Sequence, residues 1–123
     1  MILVDTSVWI DHLRHNDPIL SELLQACQIL AHPFVVGELA LGSLRQREAV
    51  LSALRDLPQS LVASDSEAQT FIERHKLYGL GIGYVDVHLL AATFLNRDAR
   101  LWTRDKRLRE TAARLDVDAT IDH

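Results

Sequence analysis

Four acidic side chains stand at points in the chain where they could do chemistry: Asp5, Glu38, Asp86 and Asp105. Asp5 follows Ile2-Leu3-Val4, a short apolar run that reads as a buried strand ending at an Asp5-Thr6-Ser7 capping turn. Asp105 lies just after Arg100-Leu101-Trp102-Thr103, a second strand pattern, so both acids are expected at the same edge of a sheet. Asp86 falls in the first turn of a helix that follows Gly79-Leu80-Gly81-Ile82-Gly83 and can face that edge as well. Glu38 sits among Phe34, Val35, Val36, Leu39, Ala40 and Leu41, in a helix that otherwise reads as core-facing, where a carboxylate needs a partner or a function. Taken singly, each acid has an ordinary role open to it. Asp5 and Asp105 can cap helices, the commoner use of an aspartate there, Asp86 can complement a helix dipole, and Glu38 can pair with an arginine.

Their joint placement points further, because acids at strand ends and helix starts can converge without sequential contact. Two carboxylates ~5 Å apart repel by about 3 kcal/mol at an effective dielectric of about 20, so several together require a counter-charge. An all-oxygen donor set with open positions suits Mg²⁺ or Mn²⁺ rather than Zn²⁺. Such a site would position water and neutralise charge developing on a phosphodiester. Thr6 and Thr103 each adjoin or lie close to one of the acids and can hydrogen-bond a ligand, water or carboxylate, or serve ordinary turns.

The elements that must position these residues alternate between strand and helix. After the first strand come a helix through Trp9, Ile10 and Leu13, and a second that Asp17 caps and Pro18 opens. Gln28–Ala31 reads as a strand, Pro33 to about Gly42 as an apolar helix, and about Arg45 to Leu57 as another helix. Ser60–Ala63 reads as a third strand, and Ser64-Asp65-Ser66-Glu67 is a capping box for a helix through Phe71 and Ile72, with Gly79 as its C-terminal cap. Val85–Asn96 reads as a helix, Arg100–Thr103 as a strand, Asp105–Leu115 as a helix and Val117–Ile121 as a closing strand. The expected fold is therefore α/β: a three-layer α/β/α sandwich around a mostly parallel sheet of about five strands, in one domain spanning residues 1–123.

Composition sets limits around this reading. The chain has 123 residues, 48% hydrophobic and 24% charged, which suits a folded domain and not a disordered one. Apolar runs are too short for a bilayer crossing and no basic stretch leads into one near the N-terminus, so the cytoplasm is the expected location. Cys27 is the single cysteine, which excludes an intrachain disulfide and a multi-thiolate metal site; it is expected to be an inert core residue. The net charge of −4 offers no overall attraction to nucleic acid. Arginines at 97, 100, 104, 107, 109 and 114 nevertheless crowd the last third, either as phosphate contacts or as a solvated helical face. Trp9, Trp102 and Tyr84 could stack on bases but are read as core packing or partner contacts, and His88 is read as a surface histidine.

Four segments together carry a family resemblance: Ile2-Leu3-Val4-Asp5-Thr6-Ser7-Val8-Trp9, Glu38-Leu39 with Gly42 behind it, Asp86 with Ala91-Ala92-Thr93, and Leu101-Trp102-Thr103-Arg104-Asp105-Lys106-Arg107-Leu108. In order and spacing they resemble the signatures of PIN-domain ribonucleases, most closely the VapC-type toxins of bacterial toxin–antitoxin pairs. The resemblance implies that Asp5, Glu38, Asp86 and Asp105 are the catalytic, metal-binding acids, with Thr6 and Thr103 as supporting polar positions. It also implies a Mg²⁺- or Mn²⁺-dependent endoribonuclease of structured RNA, tRNA or rRNA, that arrests translation, forms a homodimer and is inhibited by a cognate antitoxin. Two other readings compete. One is a catalytically silent RNA-binding or protein-interaction domain on the same fold. The other is a receiver-type signalling domain with Asp56 as phosphoacceptor, against which Asp56 ends a helical stretch and no paired acids close the first strand.

Overall fold

A computed structural model describes residues 1–121. The chain runs β1 (Ile2–Val4), α1 (Thr6–His15), α2 (Pro18–Gln25), β2 (Ile29–Leu30), α3 (Pro33–Ala40), α4 (Arg47–Arg55), α5 (Asp65–His75), α6 (Tyr84–Leu95), β3 (Arg100–Trp102) and α7 (Lys106–Arg114). Local chemistry sets most of these boundaries. Pro18 and Pro33 occupy first turns, where a missing N–H costs nothing, and Asp17 accepts from the Leu20 N–H. Ser64 and Glu67 form the reciprocal capping box that starts α5. That helix is closed by Lys76 in the left-handed region, not by Gly79, which lies further along the connection to α6.

The strands order β2-β1-β3, all parallel, with Leu3 opposite both Leu30 and Leu101. Successive strand residues point to opposite faces, and Leu3 with Val4, and Leu101 with Trp102, are all no more than 1% exposed. Both faces are therefore covered, which is the three-layer α/β/α arrangement that parallel crossovers require. The inner helix is α6, buried continuously from Val87 to Thr93.

The two outer strands expected at Ser60–Ala63 and Val117–Ile121 are present only as single parallel bridges, Ala31 to Gln59 and Leu101 to Asp118. Backbone bonds flank each bridge, from the Ala31 N–H to the Pro58 carbonyl and the Ser60 N–H to the Ala31 carbonyl on one side, and from the Leu101 N–H to the Val117 carbonyl and the Ala119 N–H to the Leu101 carbonyl on the other, while side chains bond the outward-facing backbone groups. Asn96 Oδ1 accepts from the Leu61 N–H, and Arg100 Nη1 donates to the Asp116 and Asp118 carbonyls. Among the described residues the sheet thus has three named strands and, with the two bridges, five parallel positions.

Candidate active site

The β1–β3 register places Val4 beside Trp102, so the next residues, Asp5 and Thr103, leave the sheet side by side. Thr103 Oγ1 donates to Asp5 Oδ2 at 2.7 Å, and Ser7 Oγ donates to the same oxygen at 2.9 Å. The other carboxylate oxygen accepts from the Thr6 N–H at 2.8 Å, as Asp5 also caps α1. Asp5 is buried, at 7% exposure, and these donors satisfy carboxylate oxygens that burial removes from water.

The remaining acids reach the same neighbourhood from three helices. Thr6 Oγ1 donates to Glu38 Oε1 at 2.6 Å, joining α1 to α3 across 32 residues of sequence. Glu38 is exposed, unlike the buried Val35 and Leu39 of its helix. Asp86 occupies the third position of α6 and its Oδ2 accepts from the Gly83 N–H at 2.9 Å. Asp105 caps α7, with Oδ1 accepting from the Leu108 N–H at 2.9 Å, while its own N–H donates to Thr103 Oγ1 at 3.1 Å.

Asp86 registers the charge of the whole group. Burial raises its pKa above the ordinary carboxylate range, and the negative charges of Asp5, Asp105 and Glu38 raise it further, against the lowering effect of the Gly83 hydrogen bond. Among the described residues no ion pair reaches any of the four acids; both ion pairs belong to Arg104. The acids are coupled but not closed: among the described residues, no three His, Cys, Asp or Glu side chains are gathered so as to enclose a metal ion.

Other placements differ from expectation. His88 is not a surface residue but 1% exposed, edge-on to Phe34 and Tyr84, with neither ring nitrogen partnered among the described residues. It faces inward because α6 is the inner helix. Cys27 is exposed, in a left-handed turn after α2, and is not a core residue. Trp9 and Trp102 are buried as expected. Asp56 is the exposed residue that ends α4, away from any strand end.

Two further residues near the acids, Ser7 and Arg104, carry roles that local sequence alone does not define. Ser7, in the Asp5-Thr6-Ser7 turn, donates to Asp5 and accepts from the Arg104 N–H; its closeness to Asp5 in sequence is the signal that could have found it. Arg104, one of the arginines expected as phosphate contacts or a solvated helical face, bridges Asp11 and Asp17. Those partners lie 93 and 87 positions away, a separation that local spacing does not reveal. Beside Glu38 an open groove of about 850 Å³ runs between α1 and α3–α4, lined by Ile10, Leu13, Arg14, Leu39 and Arg45 among others.

A PIN domain family model matches residues 2–114. The chain is also similar to proteins named Ribonuclease VapC32 from two strains of Mycobacterium tuberculosis, CDC 1551 / Oshkosh and H37Rv. Each is 50% identical over 113 residues, covering 92% of this chain and 91% of the relative. The match takes in all four acids and the strands and helices that carry them, and on it the chain belongs to the PIN-domain family, as a VapC-type ribonuclease.

Proposed function

We propose that Asp5, Glu38, Asp86 and Asp105 form the catalytic centre and hold a divalent cation, Mg²⁺ with Mn²⁺ as substitute, for hydrolysis of phosphodiester bonds in structured RNA. The observation that carries this reading is how the acids divide their oxygens. Glu38, Asp86 and Asp105 each commit one oxygen to a hydrogen bond, at Oε1, Oδ2 and Oδ1 respectively, and each retains a second oxygen with no partner among the described residues. A cap and a ligand are thus compatible uses of one aspartate. The donor set is all oxygen, carries uncompensated negative charge, and fits a hard divalent ion. Mg²⁺ ordinarily keeps several waters and takes one or two carboxylates directly, so it does not require a closed three-residue cage.

Bound there, the ion would polarise a phosphoryl oxygen and make a coordinated water more acidic. The chain's own part is orientation. Thr6, Ser7 and Thr103 fix the Asp5 carboxylate in one rotamer, and Thr6 holds Glu38 against α1. Asp86 and Asp105 are locked by the helix starts they cap, which pre-organises four carboxylates for one ligand.

In the cell this activity is that of a toxin in a toxin–antitoxin pair, acting in the cytoplasm on tRNA or rRNA, as a homodimer of a single-domain chain. The groove beside Glu38, lined by apolar side chains together with Arg14 and Arg45, suits the inhibitory segment of a cognate antitoxin. No helix among the described residues is long and apolar enough to cross a membrane. The test is cleavage of a defined tRNA and rRNA set with Mg²⁺, with chelator, and by Asp5→Asn. Cleavage should need the ion and fall at least about 100-fold in the variant. Activity indifferent to both would overturn the reading.

A further inference from the structure

Arg104 stands between Thr103 and Asp105 in sequence but forms an ion pair with none of the four acids. Its guanidinium forks instead. Nη1 lies 2.5 Å from Asp11 Oδ2, on α1, and Nη2 lies 2.6 Å from Asp17 Oδ2, the residue that caps α2. Its Cζ sits 5.7 Å from the centre of the Trp102 ring, a cation–π distance. The Arg104 side chain is only 19% exposed and that of Asp17 12%, so the pair with Asp17 is shielded from much of the solvent screening.

The backbone of the same residue enters the site. The Arg104 N–H donates to Ser7 Oγ at 3.0 Å, and Ser7 Oγ donates in turn to Asp5 Oδ2. Ser7 and Asp11 are four apart on α1 and so lie on one face of it. Arg104 therefore grips that face twice, through its main chain and its guanidinium, and grips the start of α2 as well. Thr103, the donor to Asp5, and Asp105, whose N–H returns to Thr103, flank it directly.

We propose that Arg104 is a positioning residue for the reaction: by clamping the Thr103–Asp105 segment to α1 and α2, it sets where Thr103 and Asp105 stand relative to Asp5. This rests on the nuclease reading of the four acids. Only a planar fork spans two carboxylates on different elements in this way, and a lysine ammonium cannot reproduce it.

The test compares the full chain with Arg104→Ala, Arg104→Lys, Asp11→Asn and Asp5→Asn. Three quantities are read: thermal unfolding, steady-state cleavage of a defined RNA well below each midpoint, and Mn²⁺ binding followed by electron paramagnetic resonance. In both Arg104 variants kcat should fall about 10- to 100-fold, the scale set by small misplacements of catalytic groups, with KM within about threefold. Mn²⁺ affinity should weaken in parallel. Asp11→Asn, which removes one arm of the fork, should move all readings the same way by less. A lower melting point with wild-type kcat and Mn²⁺ affinity would make Arg104 purely structural and overturn the proposal. Should Arg104→Ala not fold, Arg104→Lys and Asp11→Asn decide the matter by the same criteria. The two readings fail separately: wild-type cleavage by Asp5→Asn removes the nuclease reading and the clamp with it, whereas an inactive Asp5→Asn beside a fully active Arg104→Lys removes the clamp alone.

Discussion

At the residue scale, Asp86 shows how a group can be both a helix cap and a candidate ligand. Its Oδ2 accepts from Gly83, while burial and three neighbouring negative charges oppose its ionisation. Asparagine keeps the cap acceptor and removes the charge. Asp86→Asn should therefore melt at a higher temperature than the wild type in the presence of chelator, while losing cleavage; a lower midpoint would show that repulsion is not what Asp86 experiences. His32 makes a second case. Its ring is fully buried and Nδ1 accepts from the Phe34 N–H as the cap of α3, which requires that nitrogen to be unprotonated. Burial, reinforced by the charge of nearby His88, lowers its pKa to about 4 from the ordinary value of 6.5. The unfolded chain then binds a proton that the folded chain refuses, so stability is full above about pH 6.5 and falls as the pH drops toward 4. The loss amounts to about 3 kcal/mol once His32 is protonated in both states. Urea unfolding across that window should show the slope for the wild type, and a smaller one for His32→Asn, which retains a cap acceptor. The cap at His32 was not legible in the sequence, because histidine is not a residue that signals a helix start.

At the element scale, the connection into α6 controls where Asp86 stands. Gly81 has φ +76°, and a Cβ built there would lie 2.9 Å from Arg107 Cδ and 3.0 Å from Cζ, so the loop lies against the first turn of α7. Gly81→Ala should destabilise the protein by about 1–3 kcal/mol and reduce cleavage. Adding Arg107→Ala should restore only part of the stability, since the backbone strain remains; thermal unfolding of the double variant measures the remainder. The Gly79–Gly83 stretch was readable as a loop, but its contact with Arg107 was not, because the two are distant in sequence and Arg107 carries no local mark of a partner. Helix starts were the most readable features. Pro18, Pro33 and the Ser64–Glu67 box act within three or four residues, and the structure places helices there. The outer strands were legible as parallel positions but not in extent: the pairing described there is one bridge at Gln59 and one at Asp118, and the Asn96 and Arg100 side chains bond the backbone beside them.

At the scale of the whole molecule, four carboxylates with no paired cation among the described residues leave the fold carrying repulsion that a bound divalent ion would relieve. An ion that binds only the folded state stabilises it by about 2.7 kcal/mol at 100 times its dissociation constant. Mg²⁺ or Mn²⁺ should raise the melting point of the wild type in a saturable way, and Asp5→Asn should respond weakly; equal responses in a calorimetric titration would place the ion elsewhere. RNA affinity should fall steeply with salt if arginines contact phosphates, despite the net charge of −4. The alternation of strands and helices, the caps that end them, and the acids at positions 5, 38, 86 and 105 were legible in the amino-acid order alone, since the elements and caps rest on periodicity and short-range hydrogen bonding. It took the folded arrangement to establish that Thr103 serves Asp5, that Thr6 holds Glu38, that Arg104 reaches back to α1 and α2, and that His88 faces inward. Those outcomes follow from strand register and helix packing, which join residues up to 98 positions apart and leave no periodic trace in the chain.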